Sequence, residues 1–366
     1  MRVLVCAIVA AAGLAAHPAF AQADRAAGPF WKSVRGICET TGAKPPGELG
    51  RRIAQIAIDE FSGFGGHEID SNGRLFHFGL TEAENEEDDG GNPRASLGKL
   101  GWWQVMKYWR ALYGSDTPSK LEVRGYRDAS TLTQETLVAD LLRTSAARLL
   151  RLAEDVADPA AREILRATAF RAATVDTSWS AAFISYVIRQ SGVSGDAFRF
   201  SNAHRVYIYD AFAASAAERD KQAHQGLYRA CPLTTTRLRP GDLICQQREP
   251  SLAEHGDEAV RERIRLELSG DAEARSVRRT HCEVVAHVDA RARKVYTIGG
   301  NVNQSVSARK LNLKRDLTFS PMQKSSCGGA GAWTLPQSTT GIARTVKAAT
   351  KCSLNDKKWF VILQIR

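Results

Sequence analysis

The spacing of apolar residues changes near Pro240, and this change constrains the fold more than any other feature of the sequence. From residue 47 to about 215, apolar residues recur at the spacing of amphipathic helices. Beyond Pro240, several segments alternate or are rich in β-branched residues, which predicts strands. These segments are residues 242–247, 281–289, 294–298, 304–313 and 359–365. Helices followed by strands predict an α+β fold with a C-terminal antiparallel β-sheet.

Length and composition exclude several classes of protein. The chain has 366 residues, of which 43% are hydrophobic and 25% are charged, as in ordinary globular proteins. This composition excludes a largely disordered chain, a collagen-like chain and a multi-span membrane protein. The net charge of +10 favours anionic surroundings such as cell wall, phospholipid or nucleic acid. Because the sequence contains no nucleic-acid-binding motif, we expect no nucleic-acid partner.

The first residues have the layout of a secretory signal peptide. Arg2 precedes an apolar run over residues 3–16, and Ala19-Phe20-Ala21 then forms a small-x-small cleavage site. The apolar run is too short to span a bilayer comfortably, and no other stretch is longer. We therefore predict a signal peptide over residues 1–21 and a periplasmic or secreted protein with no stable membrane span after cleavage. The alternative is an uncleaved anchor.

Cleavage of the signal peptide leaves the cysteines Cys38, Cys231, Cys245, Cys282, Cys327 and Cys352. An even number of cysteines in an oxidising compartment predicts disulfide bonds. Cys327 and Cys352 flank a stretch rich in Gly, Ser and Thr, so we predict that they pair. Cys245 and Cys282 fall on neighbouring predicted strands, which favours either a disulfide or burial. The other pairings stay open, and no pair has the spacing of a zinc knuckle.

Shifts in composition divide the mature chain. Residues 22–46 are interpreted as a linker, residues 47–170 as a helical region that packs on the core, and residues 171–366 as the core. Within the core, the charged, helix-compatible residues 248–280 are interpreted as an insertion and residues 320–356 as a loop. An acidic run at residues 82–89 lacks the spaced pattern of a calcium loop, so a solvated loop is favoured.

One predicted helix begins with a candidate nucleophile. An apolar stripe at helical spacing is formed by Trp179, Ala182, Phe183, Tyr186 and Val187. We expect a cap among residues 176–178 and a helix end at Gly192. Ser180 then lies in the first turn, beside unpaired backbone N–H groups and the positive end of the helix dipole. Such a position favours a nucleophile and an oxyanion site; the alternative is an ordinary first-turn serine.

A histidine at the start of a predicted strand is the candidate base. His281, Glu283 and His287 share one strand face, and Cys282 points to the other. His281 and His287 are about 20 Å apart along an extended strand, which excludes a shared metal ion. The alternative is that His281 is simply a polar residue at a strand end.

An asparagine is expected opposite this histidine in a hairpin. If the turn is centred on Arg291, residues that lie equally far from it in the sequence face each other, so His281 is opposite Asn301. Their Cβ atoms would then be about 5 Å apart. An Asn carbonyl there can accept the Nδ1–H of the imidazole and fix its tautomer. A slip of one residue would place the two side chains on opposite faces. The alternative is that Asn301 is a turn residue after Gly299-Gly300.

Four motifs in this order resemble those of NlpC-type and CHAP-type papain-fold amidases and peptidases. They are Trp-Ser-Ala-Ala-Phe at residues 179–183, Pro-Gly-Asp-Leu-Ile at residues 240–244, the strand that starts at His281, and Gly-Gly-Asn at residues 299–301. The first resembles Trp-Cys-Ala-Ala-Phe, in which the Cys opens the helix and is the nucleophile. The whole set is most similar to the bacterial domain of unknown function 2272, which resembles those enzymes but carries Ser in the Cys position.

The resemblance implies a papain-like (NlpC/CHAP-type) domain. It implies Ser180 as nucleophile, His281 as base and then acid, and Asn301 as the residue that orients the imidazole. We further expect Trp179, His204 and Glu283 to contact the substrate. For His204 the alternative is a helix-start residue that bonds the backbone. No metal or organic cofactor is implied.

The expected function is that of an exported hydrolase acting on peptide or amide bonds in peptidoglycan through a Ser–His–Asn site. The alternative is a catalytically inactive papain-fold module that binds peptidoglycan or an envelope partner. The serine is what keeps this alternative open, because a helix dipole worth about 1 kcal/mol cannot ionise a hydroxyl. The serine therefore needs a general base at hydrogen-bond distance. An acyltransferase that uses Ser180 is a weaker third interpretation.

Overall fold

We describe the protein from a computed structural model. The described residues are 29–83, 100–126, 133, 141–252, 254–271, 276–323, 333–334, 345–346 and 353–366. The predicted signal peptide and the predicted Cys327–Cys352 pair lie outside them. Within these ranges, no helix combines the length and the apolar character needed to cross a membrane.

Helices dominate the N-terminal half of the described chain, as the apolar periodicity predicts. Their bounds are α1 Pro29–Gly42, α2 Glu48–Gly63, α3 Gly101–Tyr113, α4 Thr117–Lys120, α5 Ala146–Glu154, α6 Pro159–Asp176, α7 Ser180–Gln190 and α8 His204–Arg219. A further helix, α9 (Asp257–Leu268), lies in the segment predicted to be a charged, helix-compatible insertion. Short 3-10 turns occupy Gly114–Asp116 and Pro250–Leu252.

Strands dominate the C-terminal half and form one large sheet. The strands are β1 His67–Ile69, β2 Leu75–His77, β3 Glu122–Tyr126, β4 Leu141–Ser145, β5 Tyr228–Cys231, β6 Leu243–Gln247, β7 Thr280–Asp289, β8 Lys294–Val302, β9 Ser305–Asn312, β10 Trp333–Thr334, β11 Thr345–Val346 and β12 Trp359–Ile365. Eight of the described strands form a sheet in the order β2-β1-β9-β8-β7-β6-β12-β5. Its neighbours are antiparallel except β1 and β9, which confirms a mixed α+β fold.

The sequence pattern missed the strands that lie inside the helical half. Strand β1 joins the edge of the large sheet by pairing with β9, nearly 240 residues further along. Leu141 and Leu142, which the periodicity assigned to a helix, lie in β4 and pair with β3. A short apolar run is compatible with a helix or a strand, and here pairing with β3 makes it a strand. Strand β5 was likewise not foreseen.

Two disulfides tie distant segments together. Cys38 of α1 is bonded to Cys231 of β5, so the segment interpreted as a linker contains a helix fixed to the sheet. Cys245 and Cys282 are directly opposite each other on β6 and β7, and they are bonded. Their Cα atoms are only 4.1 Å apart, which is typical of a pair that exchanges no ladder hydrogen bonds. The N–H of Cys282 therefore points away from β6.

Helix α2 packs against the turn that leads into β6 at a contact made by two glycines. A Cβ at Gly241 would lie 2.4 Å from Gly50 Cα, and Gly241 also has a φ of +92°. A Cβ at Gly50 would lie 2.6 Å from the Pro240 carbonyl oxygen. The Pro-Gly-Asp motif therefore fixes the approach of helix to sheet as well as forming a turn.

Gly241→Ala should destabilise the protein strongly. The substitution adds the cost of a positive φ to a clash with backbone, together about 3 kcal/mol. Gly36→Ala is the matched control, because Gly36 lies in α1 with no atom within 4 Å of its Cβ position. Alanine there should be neutral or stabilise by up to about 1 kcal/mol. Urea unfolding measures both, and equal effects would contradict the assigned contact.

Candidate functional site

Ser180 is the first residue of α7 and is half-buried. The cap expected among residues 176–178 is not formed, since Trp179 is the N-cap and contributes no side-chain hydrogen bond. Instead, the side chains of Asp176 and Thr177 accept hydrogen bonds from backbone N–H groups of β3. The start of α7 thus keeps N–H groups that have no partner within the helix.

His204 is hydrogen-bonded to Ser180. Its Nε2 lies 2.7 Å from Ser180 Oγ, and its ring is buried. His204 is the first residue of α8, and Tyr207 lies one turn further along the same helix face. The Tyr207 hydroxyl is hydrogen-bonded to Nδ1 of His204. The three side chains thus form a chain from a serine hydroxyl through an imidazole to a buried phenol.

A second contact between the helices holds this chain in place. Ser185 of α7 donates its hydroxyl to the Ser201 carbonyl at 2.8 Å, and the Ser201 N–H donates back to Ser185 Oγ at 2.9 Å. Because Ser201 lies three residues before α8, this reciprocal pair fixes where that helix begins relative to α7. The first residues of the two helices therefore meet, which brings Ser180 and His204 together.

His281 lies next to His204, on the side of a buried ion network. The two imidazole centroids are 5.0 Å apart, with the rings nearly perpendicular. His281 Nε2 lies 3.4 Å from Glu283 Oε1, which also accepts from Arg309 Nε at 2.7 Å. Thr297 donates to the other oxygen of Glu283 at 2.6 Å. Within the described residues, neither ring nitrogen of His281 has a hydrogen-bond partner, and Ser180 Oγ bonds to His204 rather than to His281.

Two glycines allow strand β8 to enter this region. A Cβ at Gly300 would lie 2.5 Å from Phe183 Cβ, so the strand lies directly on α7. A Cβ at Gly299 would lie 2.7 Å from Glu283 Cγ and 3.2 Å from His281 Nε2. The Gly-Gly part of the motif therefore makes room for the helix start on one side and for the His281–Glu283 pair on the other.

The hairpin that was predicted to bring His281 and Asn301 together differs from the prediction at its turn. Asp289 pairs with Lys294, so the turn is centred between residues 291 and 292, half a residue later than predicted. A bulge between Val285 and His287 then restores the predicted register, so that Val284 faces Ile298. The described β7–β8 pairing ends there. Beyond it, the Cys282 N–H donates to His204 Nδ1 at 3.3 Å, and Asn301 has a φ of +54°.

Burial keeps both histidines neutral. It lowers the pKa of His204 well below 6.5, and this pKa is lowered further by His281, which resists a second positive charge beside its own ring, and by the cation of Arg248. Burial also lowers the pKa of His281 to about 4, although Glu283 acts in the opposite direction. Burial raises the pKa of Glu283, but Arg309, His281 and Thr297 outweigh it and hold this pKa at about 2. At neutral pH both imidazoles are therefore uncharged.

The other residues expected to contact substrate are buried in structural contacts. Trp179 packs on Phe64 and Tyr108, and its indole N–H donates to Glu82. Burial raises the pKa of Glu82 to about 6. Glu283 has no exposed surface and uses its oxygens within the ion network. In the part of the chain that the structure describes, no cluster of His, Cys, Asp or Glu could hold a metal ion.

The sequence pointed to His204 only as a substrate contact, and it gave Tyr207 no role. A signal was present: His204 and Tyr207 have the three-residue spacing of neighbours on one helix face. What the sequence could not show is that α8 begins beside α7, because the Ser185–Ser201 contact that sets this is tertiary.

Fold and site together define a mixed α+β protein with a serine–histidine pair at the meeting point of two helix starts. The chain belongs to a family described as uncharacterized protein conserved in bacteria, domain of unknown function 2272, whose family model matches residues 98–365. No curated protein and no solved structure matches the chain.

His281 should make stability depend on pH. Its pKa in the folded protein is about 4 and its ordinary value is 6.5, so the unfolded chain binds a proton that the buried ring does not. As the pH falls from 6.5 to 4, the wild type should lose about 3 kcal/mol more than His281→Gln. Burial raises the pKa values of Glu82 and Asp242 to about 6, so these two carboxyls add stability as the pH falls. They do so equally in wild type and variant, and their effect cancels in the comparison. Urea unfolding across this range is the measurement, and identical pH dependence would contradict the assignment.

Proposed function

We propose that the protein is an exported papain-like hydrolase that cleaves peptide or amide bonds in peptidoglycan, with Ser180 as nucleophile. The observation that carries the proposal is the 2.7 Å hydrogen bond between Ser180 Oγ and His204 Nε2 at the start of α7. The order of the four motifs and the packing of α7 on an antiparallel sheet support the papain-like assignment. The proposal differs from the sequence expectation in two respects, because His204 takes the role of base in place of His281 and Tyr207 orients the imidazole in place of Asn301.

The reaction begins with proton transfer from Ser180 Oγ to His204 Nε2. As the proton moves, Oγ forms a bond to the substrate carbonyl carbon, and the carbonyl electrons move onto its oxygen. Collapse of this intermediate breaks the C–N bond, and the amine leaves with the proton from His204. Water then attacks the acyl-serine with His204 again as base, which releases the acid and restores the Ser180 hydroxyl.

The start of α7 supplies the stabilisation that the intermediate needs. Backbone N–H groups in the first turn have no partner within the helix, and the positive end of the dipole lies there. Removing one such donor in a known oxyanion hole costs about 100- to 1000-fold in rate. A nucleophile placed at the first residue of a helix is therefore adjacent to its own oxyanion site.

Tyr207 is the orienting residue in this proposal. For His204 to act as base, Nε2 must carry the lone pair and Nδ1 the proton. The Tyr207 oxygen can accept that proton as a hydrogen bond, which fixes the ring when it becomes an imidazolium. This is the role that a third group has in nucleophile–base–orienter sites. In this tautomer Nδ1 no longer accepts from the Cys282 N–H, so the contact with Tyr207 replaces the contact with Cys282.

Export is supported by two kinds of observation. The sequence begins with the layout of a signal peptide, and the described chain has two disulfides. Disulfides persist in oxidising compartments and are rare in the cytosol. An envelope location would bring the protein into contact with peptidoglycan.

A second candidate function rests on a different contact. The Cys282 N–H is an obligatory donor, and it points at His204 Nδ1 from 3.3 Å. This contact favours a lone pair on Nδ1 and a proton on Nε2, in which case His204 donates to Ser180 instead of accepting from it. A site held in that tautomer would be inactive and would serve as a module that binds peptidoglycan or an envelope partner.

Incubation of the mature protein with purified peptidoglycan distinguishes the two functions. Wild type, Ser180→Ala and Ser180→Cys are compared, and the soluble fragments are analysed by mass spectrometry. We expect fragments from wild type and none from Ser180→Ala, because the acyl intermediate needs the hydroxyl. The fragment masses identify the bond that is cleaved.

The other outcomes count against the proposal. Fragments from Ser180→Cys alone would show that the cleft is intact but that the natural serine is inactive, since a thiolate forms more readily there. Retention of peptidoglycan by all three proteins without any fragments would establish the binding module.

A further inference from the structure

Three separate basic stretches of the sequence converge beside the candidate site. They contribute Arg248 after β6, Arg278 and Arg279 before β7, and Lys357 and Lys358 before β12. Backbone hydrogen bonds bring them together, since the Arg248 N–H donates to the Arg279 carbonyl at 2.6 Å. The Gln247 N–H likewise donates to the Lys358 carbonyl at 2.9 Å. We call these five side chains the cationic rim.

The cationic rim is accessible and keeps an excess of positive charge. Arg248, Arg278, Arg279 and Lys358 are exposed, and Lys357 is half-buried. Two carboxylates also lie at the rim. Glu249 accepts from the backbone N–H groups of residues 278 and 279, and Asp356 precedes Lys357 and acts on its charge. Five cations against these two carboxylates leave an excess of positive charge. An excess of positive charge on one edge forms a surface that attracts anions.

The rim borders the serine–histidine pair. Arg279 precedes His281 by two residues, and His281 pairs across the sheet with Gln246, two residues before Arg248. The charge of Arg248 also lowers the pKa of both His204 and His281, so this cation is electrostatically coupled to the site. A ligand bound at the rim would therefore lie next to the imidazoles.

A recess next to the rim adds apolar surface. Its volume is about 270 Å³, and Lys357, Lys358, Trp359 and Phe319 are among its lining residues. Asp257 and Asp356 also line it; the carboxylate of Asp257 is paired with Arg261, and Asp356 lies next to Lys357. The recess lies beside the two lysines, where a side chain of a bound peptide could enter.

We propose that the cationic rim binds the carboxylates of an acidic peptide and presents that peptide to Ser180. This inference rests on the proposed hydrolase function and specifies its substrate as a peptide rich in free carboxylates. Arg and Lys together suit this task, because Arg binds a carboxylate in a fixed geometry and Lys adds a mobile charge. Electrostatic attraction of this kind also raises the rate of encounter.

Charge reversal with a matched control tests the rim. The Ser180→Ala protein is titrated with fluorescein-labelled hexaglutamate, and the anisotropy is followed at low and at high salt. Arg279→Glu/Lys358→Glu should weaken binding by about tenfold or more, because attraction becomes repulsion. Lys120→Glu/Arg151→Glu changes the net charge equally at exposed positions on α4 and α5, and it should leave the affinity within about twofold. Thermal unfolding verifies that both double variants are folded.

Three results would overturn the inference. They are no binding of hexaglutamate by the Ser180→Ala protein, equal weakening by both double variants, and tighter binding of hexathymidylate, which would assign the rim to a phosphate polymer. Labelling of wild-type Ser180 by a fluorophosphonate reports on the hydrolase separately. Rim-dependent binding without such labelling would confirm the acidic-peptide surface and refute its delivery to a nucleophile.

Discussion

The close approach of strand β8 to the start of helix α7 is the constraint on which the site depends. It is possible only because Gly299 and Gly300 have no side chains, since a Cβ at Gly300 would overlap Phe183. Beyond this contact β8 leaves its partner β7, and the freed N–H of Cys282 turns to His204 instead. The N–H points there because Cys282 lies opposite Cys245 in a pair that exchanges no ladder hydrogen bonds between β6 and β7.

Burial and charge then divide the site into two parts with different chemistry. On one side, Glu283 and Arg309 form a buried ion pair that Thr297 completes, so both charges are compensated as low-dielectric surroundings require. On the other side, the neutral ring of His204 contacts Ser180, which is only half-buried. His281 lies between the two parts. The cations of the rim lie outside these two parts, next to the ends of strands β6, β7 and β12.

The sequence predicted the parts of this arrangement that depend on local pattern. Helices first and strands afterwards and the place of Ser180 in the first turn of α7 follow from periodicity. Counting also gave the register between Val284 and Ile298, although the predicted cap of α7 is not formed and a bulge is needed to restore that register. It could not predict β1, whose partner β9 is far away in the chain, or β4, whose two leucines fit a helix equally well. Nor could it predict that His204 contacts Ser180, because the hydrogen bonds between Ser185 and residue 201 form only in the folded protein.

Reaction of Ser180 with a fluorophosphonate tests the central claim most directly, because this reagent needs an activated serine but no knowledge of the substrate. Mass spectrometry locates the adduct, and its rate of formation is compared among wild type, His204→Gln and His281→Gln. The account predicts phosphonylation of Ser180 in the wild type and a loss of about 100-fold or more in His204→Gln. It predicts a smaller loss in His281→Gln, which leaves the Ser180–His204 bond intact. An unmodified Ser180 in the wild type, or a larger loss in His281→Gln than in His204→Gln, would contradict it.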